Sequence, residues 1–512
     1  MIHTPHAPME HHGPISLIPV VLTIGLALLT RQVVTALFIG AFSGVLLLAG
    51  GNPLAAATTM VSGYLVPQLT DSYNAGVLVL LAFIGGFVAL MEQSGGASAL
   101  AALAVRIVNS RARAQLAGWL GGCAIFFSDL GTPLIVGPII EPLVDRLRVS
   151  REKLAWILDC TSSPVAVLVP ITGWGVYIMS LLAKEYGDAA ATGGDWTMLL
   201  RSLPFAFYPI VTVALVPIVA LWGWEFSRMA AAEQRTASGT VYWPASRPLR
   251  PPAPAAVVNA RPVLVWLPLL VLFGTIQVLL NPLGFPFQPV PGGTFRAALS
   301  TGYLFAAVVL ICLMVWLRTR GIRDAFGVYT DGLQRMTLVA VILLLAWTLG
   351  VVNRNLGTAT YLVEIAQGVV APGLLPAIVF TVGAVVSFAT GTSWGTFAIM
   401  LPLVVPAAQA IGAPEAVTVG AVIAGGIFGD HVSPISDSTV LCSTGAGCDL
   451  MDHVTTQLPY AVLNAGVSLA AFVVAGFTES YIVTAGALVA SAALYMTVSR
   501  SWGVRIAGVT QR

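Results

Sequence analysis

Two pairs of hydroxyl-rich strings interrupt the long apolar stretches of this 512-residue chain. One pair is Ser128-Asp129-Leu130-Gly131-Thr132 and Gly391-Thr392-Ser393-Trp394-Gly395-Thr396; the other is Thr161-Ser162-Ser163-Pro164 and Ser433-Pro434-Ile435-Ser436-Asp437. Each supplies hydroxyl oxygens together with backbone carbonyls freed where Gly or Pro breaks a helix, and hard cations such as Na+ are held by oxygen ligands of this sort. The candidate hydroxyls are Thr132, Ser162, Ser163, Thr392, Ser393, Thr396, Ser433 and Ser436. Taken one at a time, such a residue more often bonds back to its own helix. The leading carboxylates are Asp129 and Asp437, and a Na+ seat at Asp437, Ser436 and Thr392 is the specific expectation. A charge at mid-bilayer costs at least about 2.5–3.5 kcal/mol on insertion scales, which argues against an idle carboxylate there. Asp159, Asp430 and His431 flank the same breaks. The two acids read equally well as helix caps or as site members, and His431 reads as a hydrogen-bonded core histidine ahead of a proton carrier.

Positioning these residues falls to membrane-spanning helices. Hydrophobic residues make up 57% of the chain and charged residues only 9%, against roughly 25% in soluble domains, which excludes a soluble fold. Apolar runs long enough to cross a hydrocarbon core about 30 Å thick recur along the chain. They are expected at Ile15–Thr30, Val33–Gly50, Ala75–Met91, Leu199–Trp222, Pro262–Leu280, Ala297–Leu317, Met336–Val352, Gln457–Phe477 and Tyr481–Ser499. Two other regions, Gln115–Ser180 and Pro376–Gly447, stay apolar but are interrupted by Gly, Pro, Ser, Thr and Asp. Lipid cannot satisfy the backbone groups freed there, so they must be buried in protein or line a water-filled cavity. The small net charge of +2 suggests no nucleic-acid partner. The five cysteines, Cys123, Cys160, Cys312, Cys442 and Cys448, lack zinc-site spacing and read as small core residues. The tail bearing His3, His6, His11 and His12 lacks the features of a signal peptide.

Lys and Arg placement orients the spans, since short loops rich in them stay cytoplasmic. Arg106, Arg111 and Arg113 form one cluster and Arg146, Arg148, Arg151 and Lys153 the next, so Gln115–Leu147 is expected as a re-entrant hairpin with its tip near Ser128–Pro133. The acidic loop around Glu185, Asp188 and Asp195 then falls outside, and Leu154–Ser180 crosses as a helix broken near Thr161–Pro164. Glu225–Arg261, with Arg228, Arg235, Arg247 and Arg250, is expected as a cytoplasmic, Pro-rich loop between two halves. An internal repeat joins those halves. Leu81, Ala82, Gly86, Gly131, Thr132, Pro138 and Pro142 recur 264 positions later as Leu345, Ala346, Gly350, Gly395, Thr396, Pro402 and Pro406. After an insertion of six, Ser163, Pro164 and Gly175 match Ser433, Pro434 and Gly445. Asp129 thereby aligns with Ser393 and Asp437 with Val167, so each half carries an acid that its counterpart lacks.

The expected architecture is an all-α polytopic membrane protein of two inverted-topology repeats, each with a re-entrant hairpin and a broken transmembrane helix, about 11 spans plus 2 hairpins. Its parts are a tail at 1–14, a first repeat at 15–224, a linker at 225–261, a second repeat at 262–478 and an additional C-terminal span and tail at 479–512. Between Arg354 and Arg500 there is no Lys or Arg, so a bound cation or a proton is the simplest partner for Asp430 and Asp437. The same gap weakens the case for a multi-carboxylate substrate. Asp449, Asp452 and His453 are expected at the cytoplasmic mouth. A secondary transporter fits best, and competition of Na+ and H+ at one carboxylate is enough to couple their fluxes. A Na+-coupled carrier of a small amino acid or organic acid shares the architecture. A channel would need a filter sequence that is not visible, and an enzyme with His431 and His453 as metal ligands would lack any HExxH-like spacing.

The block Gly429-Asp430-His431-Val432-Ser433-Pro434-Ile435-Ser436-Asp437-Ser438-Thr439, with Ser443-Thr444-Gly445-Ala446-Gly447 and Gln457-Leu458-Pro459-Tyr460 beyond it, resembles the NhaC-type Na+/H+ antiporters. Gly391–Thr396, Ser150–Ala155 and Asp159–Pro164 support the resemblance, which covers about residues 75 to 475; Ser438 and Cys442 stand where hydroxyl residues such as Thr or Ser are expected, and Cys442 is the departure. The resemblance implies no enzyme activity and no cofactor, with Na+ and H+ as the exchanged ions. It implies a multi-pass protein of the bacterial cytoplasmic (inner) membrane, for which the charge map puts the N-terminus outside and the C-terminus in the cytoplasm. Its partners would be membrane lipid, Na+ and H+, with a small organic solute and a homodimeric partner left open.

Overall fold

In the computed structural model, residues 12–99, 108–186, 193–247, 257–285, 290–358, 360–361, 364 and 371–506 are described. Arg106, Asp188, Arg250 and the tail histidines His3, His6 and His11 lie outside the described residues. The helices of the first half are α1 (Ile18–Thr30), α2 (Val33–Leu48), α3 (Pro53–Thr59), α4 (Val66–Thr70), α5 (Ser72–Gln93), α6 (Arg111–Ala124), α7 (Gly131–Arg146), α8 (Arg151–Cys160), α9 (Ser163–Leu168), α10 (Gly173–Tyr186), α11 (Gly194–Ser202) and α12 (Phe207–Trp222). Strand β1 (Trp224–Phe226) and helix α13 (Ser227–Ala237) follow. The second half comprises α14 (Val263–Leu280), α15 (Gly292–Trp316), α16 (Ile322–Arg335), α17 (Thr337–Leu356), α18 (Leu375–Thr390), α19 (Ser393–Ile411), α20 (Glu415–Val432), α21 (Asp437–Ala446), α22 (Leu450–Thr478) and α23 (Ile482–Trp502), then strand β2 (Gly503–Arg505). Among the described residues nine helices are long and apolar enough to span a membrane, or up to 13 if each bent pair is one span. The chain is a multi-pass membrane protein.

Helix boundaries follow local chemistry. Asp71, Ser110, Ser150 and Asp449 each accept a backbone N–H in the first turn of α5, α6, α8 and α22, satisfying donors a helix start leaves free. The hairpin expected at Gln115–Leu147 is α6 packed on α7, and its counterpart is α18 packed on α19, joined through Gly391 and Thr392. Both second arms carry two internal prolines, Pro138 and Pro142 in α7 and Pro402 and Pro406 in α19, at the repeat spacing. Each hairpin is followed by a broken helix: α8 and α9 are interrupted at Thr161 and Ser162, with a 45° bend further on between α9 and α10, while α20 and α21 part at Ser433–Ser436 and bend by 47°. The halves interlock here, because α7 packs on α21 and α10 packs on α19. At the first of these contacts a Cβ on Gly445 would stand 2.2 Å from the Pro133 carbonyl oxygen, so only glycine permits the approach.

Three features depart from expectation. The span expected as Leu199–Trp222 is two helical segments bent by 49° at Ala206, where Pro204 and Pro209 remove backbone donors. The stretch Pro53–Thr70, unassigned from sequence, is helical and turns 116° away from α2 after the Gly50-Gly51-Asn52 corner. The linker is no free loop in its first third. Its Ala-, Glu- and Gln-rich start forms α13, a sequence of strong helix formers, and β1 pairs antiparallel with β2 from the C-terminal end. This strap is pinned to α6 and α8 by charge: Arg111 of α6 to Glu233, Arg235 to Glu152 of α8 at 2.8 Å, and Lys153 of α8 to Glu225 at 2.7 Å. Arg151 bonds the Gly447 carbonyl of the second half at 3.0 Å.

Candidate ion-binding site

The second hairpin and the second broken span build one buried oxygen centre. Asp430, in the last turn of α20, is 6% exposed. Its Oδ2 accepts from Ser393 Oγ at 3.0 Å and its Oδ1 from Ser436 Oγ at 2.7 Å; Ser438 Oγ stands 2.9 Å from Ser436 Oγ. Hydrogen bonds to a charged acceptor are worth about 1.5–3 kcal/mol each, so the pair offsets much of the carboxylate's lost hydration. Close helix contact makes the centre possible: a Cβ on Gly429 would lie 2.3 Å from the Ala384 carbonyl oxygen and 2.5 Å from the Phe388 nitrogen, so α18 and α20 touch backbone to backbone. Ser387 consequently donates to the Gly426 carbonyl at 2.6 Å, and the single Ser393 hydroxyl proton is shared between that carbonyl, 3.1 Å away, and Asp430. Ser433 Oγ crosses to the Phe388 carbonyl at 2.8 Å. The tip of this hairpin is braced by α10, whose Tyr177 hydroxyl donates to the Trp394 carbonyl at 2.7 Å while Trp174 packs on the Trp394 ring.

The first hairpin contributes Asp129, half-buried beside the Trp174 indole. Its tip is anchored by Ser128, which donates to Glu92 at 2.5 Å; Glu92 in turn accepts from Arg335 at 3.0 Å. Among the described residues no Lys or Arg pairs with Asp430, so hydroxyls alone neutralise nothing of its charge. Oxygen ligands around one unpaired carboxylate suit a hard monovalent cation or a proton.

The positions of the remaining candidates differ. Asp437, expected as the leading carboxylate, is exposed in the first turn of α21, and its neighbour Ser436 turns instead to Asp430. The hydrogen bonds do not gather the expected seat of Asp437, Ser436 and Thr392: the chain bends by 47° between α20 and α21, with Asp430 buried and Asp437 exposed. Thr392 caps α19 at the Gly395 nitrogen, 3.5 Å away. Thr132, Ser162 and Thr396 bond back to carbonyls three or four residues earlier, the local role. Ser163 Oγ is buried without a partner.

A second polar cluster sits at the first break. Asp159, 1% exposed, accepts at Oδ2 from His453 Nε2 at 3.2 Å and from Gln457 Nε2 at 3.0 Å. His431 Nε2 stands 3.8 Å from the same oxygen, and His431 Nδ1 lies 2.6 Å from the Tyr208 hydroxyl, so the ring is a hydrogen-bonded core histidine. His453 is fully buried, with its ring on Asp159. Asp449 caps α22 and Asp452 accepts from Ser246 of the linker. Nothing in the sequence singles out Tyr208, or the meeting of His453 and Gln457 with Asp159, because these partners lie 223 positions from His431 and 294 and 298 from Asp159; the Gln457–Tyr460 string is the available signal.

A multi-pass helical frame with paired hairpins and broken spans is the architecture of secondary transporters. The chain belongs to the Na+/H+ antiporter family, whose profile matches residues 8–188 and 165–477. A Haemophilus influenzae protein is 31% identical over 484 residues, 91% of this chain and 91% of that one. A Na+/H+ antiporter of the same organism, itself uncharacterized, is 36% identical over 115 residues, 22% of this chain and 25% of that one. The fold is similar to that of Neisseria gonorrhoeae MtrF, with a TM-score of 0.55 at 14% identity over 90% of this chain and 97% of that one.

Proposed function

We propose that the protein exchanges Na+ for H+ across a bacterial cytoplasmic membrane, with the N-terminus outside and the two halves as inverted repeats. Asp430 alternately holds Na+ or a proton, with Ser393 and Ser436 as oxygen ligands and Asp129 as the nearby acid from the other half. The observation that carries this reading is the Asp430 carboxylate, buried with two hydroxyls and no cationic side chain among the described residues. Such a group is stable in the bilayer interior only when a cation or proton neutralises it. One site that holds either ion but not both couples the two gradients without any second device. The hairpins and broken spans would let the surrounding bundle shift about a fixed site. Proteoliposomes loaded with a pH-sensitive dye test this. A Na+ pulse should drive protons outward from the Na+-receiving compartment; a pH trace identical to that of empty liposomes sinks the reading.

A further inference from the structure

The side chains at the first break are short of hydrogen-bond donors. Gln457 Nε2 faces two acceptors, Asp159 Oδ2 and the His431 carbonyl, which fixes the amide so that Oε1 points away from both. His453 presents Nε2 to the carboxylate, which puts a proton there; in the neutral ring Nδ1 is then an acceptor. Asp159 Oδ1, Gln457 Oε1, His453 Nδ1 and Ser163 Oγ are all buried with no hydrogen-bond partner. The Cys442 thiol lies beside Asp159 and Ser162, yet a thiol is a weak donor and leaves Oδ1 unsatisfied. Two acceptors and one hydroxyl, with the free oxygen of a carboxylate that is 1% exposed, make a cluster with an excess of lone pairs. Leaving such groups unmatched costs about 1–3 kcal/mol each, so an occupant with positive charge is called for.

We propose that the first break forms a second cation seat, distinct from the Asp430 centre, in which Asp159, Gln457 and Ser163 supply oxygen ligands to a small monovalent cation of the Na+ class. The choice of ion rests on the exchange reading; the seat rests on the unpartnered oxygens. The two seats are mechanically joined. Asp430 and His431 are consecutive residues of α20, one bonded to the Ser393 and Ser436 hydroxyls and the other 3.8 Å from Asp159, so movement of this helix alters both together. Oδ2 of Asp159 is already held by His453 and Gln457, which orient the carboxylate and leave Oδ1 for the ion.

Equilibrium 22Na+ binding to the purified full-length protein tests the seat by counting ions. The wild type is expected to bind two Na+ per chain, and Asp159→Asn and Asp430→Asn one each. A count unchanged in Asp159→Asn overturns the second seat, including the case in which water or a histidine proton occupies it. If only Asp430→Asn lowers the count, the exchange reading stands and this seat falls. If only Asp159→Asn lowers it, the seat stands and the assignment of exchange to Asp430 falls. Should Asp159→Asn fail to fold, Ser163→Ala provides the milder probe: roughly tenfold weaker binding at one of the two sites is expected, and an unchanged isotherm overturns the proposal.

Discussion

Replacing Asp430 by Asn removes one charge and almost no volume. The amide can still meet Ser393 and Ser436, which hold the carboxylate at 3.0 and 2.7 Å, because a hydroxyl can accept as well as donate. Packing of α20 on α18 is then retained, and the loss is electrostatic. A unit cation about 4 Å from the carboxylate centre gains about 4 kcal/mol at an effective dielectric of about 20, and about 1.4 kcal/mol is a factor of ten in affinity. Asp430→Asn should therefore weaken Na+ binding by about three orders of magnitude and abolish Na+-driven proton movement in proteoliposomes, since an amide cannot carry the exchanged proton. Elution volume and melting temperature in detergent should stay near those of the wild type. Exchange at wild-type rate and Na+ dependence in a folded variant would refute the reasoning.

The remaining predictions follow the same geometry. Ser436→Ala deletes the 2.7 Å bond to Asp430 and should raise the Na+ concentration for half-maximal exchange by about tenfold or more, for an interaction worth about 1.5–3 kcal/mol; an unchanged value in a Na+ titration would separate Ser436 from the site. Asp437→Asn should leave exchange within about twofold of wild type in the same assay, because Asp437 is exposed and bonded to none of the site hydroxyls. Glu225→Gln strands Lys153, which is fully buried between the Trp156 and Tyr460 rings, and should cost about 3–5 kcal/mol in detergent melts. Adding Lys153→Met should recover most of that loss. Gly445→Ala forces a Cβ to within 2.2 Å of the Pro133 carbonyl and should destabilise by about 1–3 kcal/mol by the same measurement.

Much of the frame is legible because spanning a bilayer demands long apolar runs and because Gly, Pro and hydroxyl residues mark where those runs break. The hairpin around Ser128–Pro133 and the breaks at Thr161–Pro164 and Ser433–Asp437 stand where those markers lie. The choice between Asp430 and Asp437 was not legible. Both flank one break, and which of them faces inward depends on the bend between α20 and α21, a property of helix packing rather than of local composition. The bend at Ala206 was missed for a simpler reason, since prolines inside apolar runs are tolerated in straight spans as well as broken ones. The Asp159 cluster is assembled from α8, α20 and α22, and its histidines carry no spacing that signals their meeting. Helix α13 was hidden by the prolines that follow it, which gave the whole linker the look of a loop.

Competition of Na+ and H+ for one carboxylate is the core of the account, and proton release on binding measures it without membranes or gradients. Purified protein in weakly buffered detergent solution near neutral pH receives a Na+ pulse, with an equal choline pulse as control, while a dye reports pH. The account predicts prompt acidification by Na+ that Asp430→Asn removes. Na+ binding with no proton release from the wild type, or release that persists undiminished in Asp430→Asn, would contradict it.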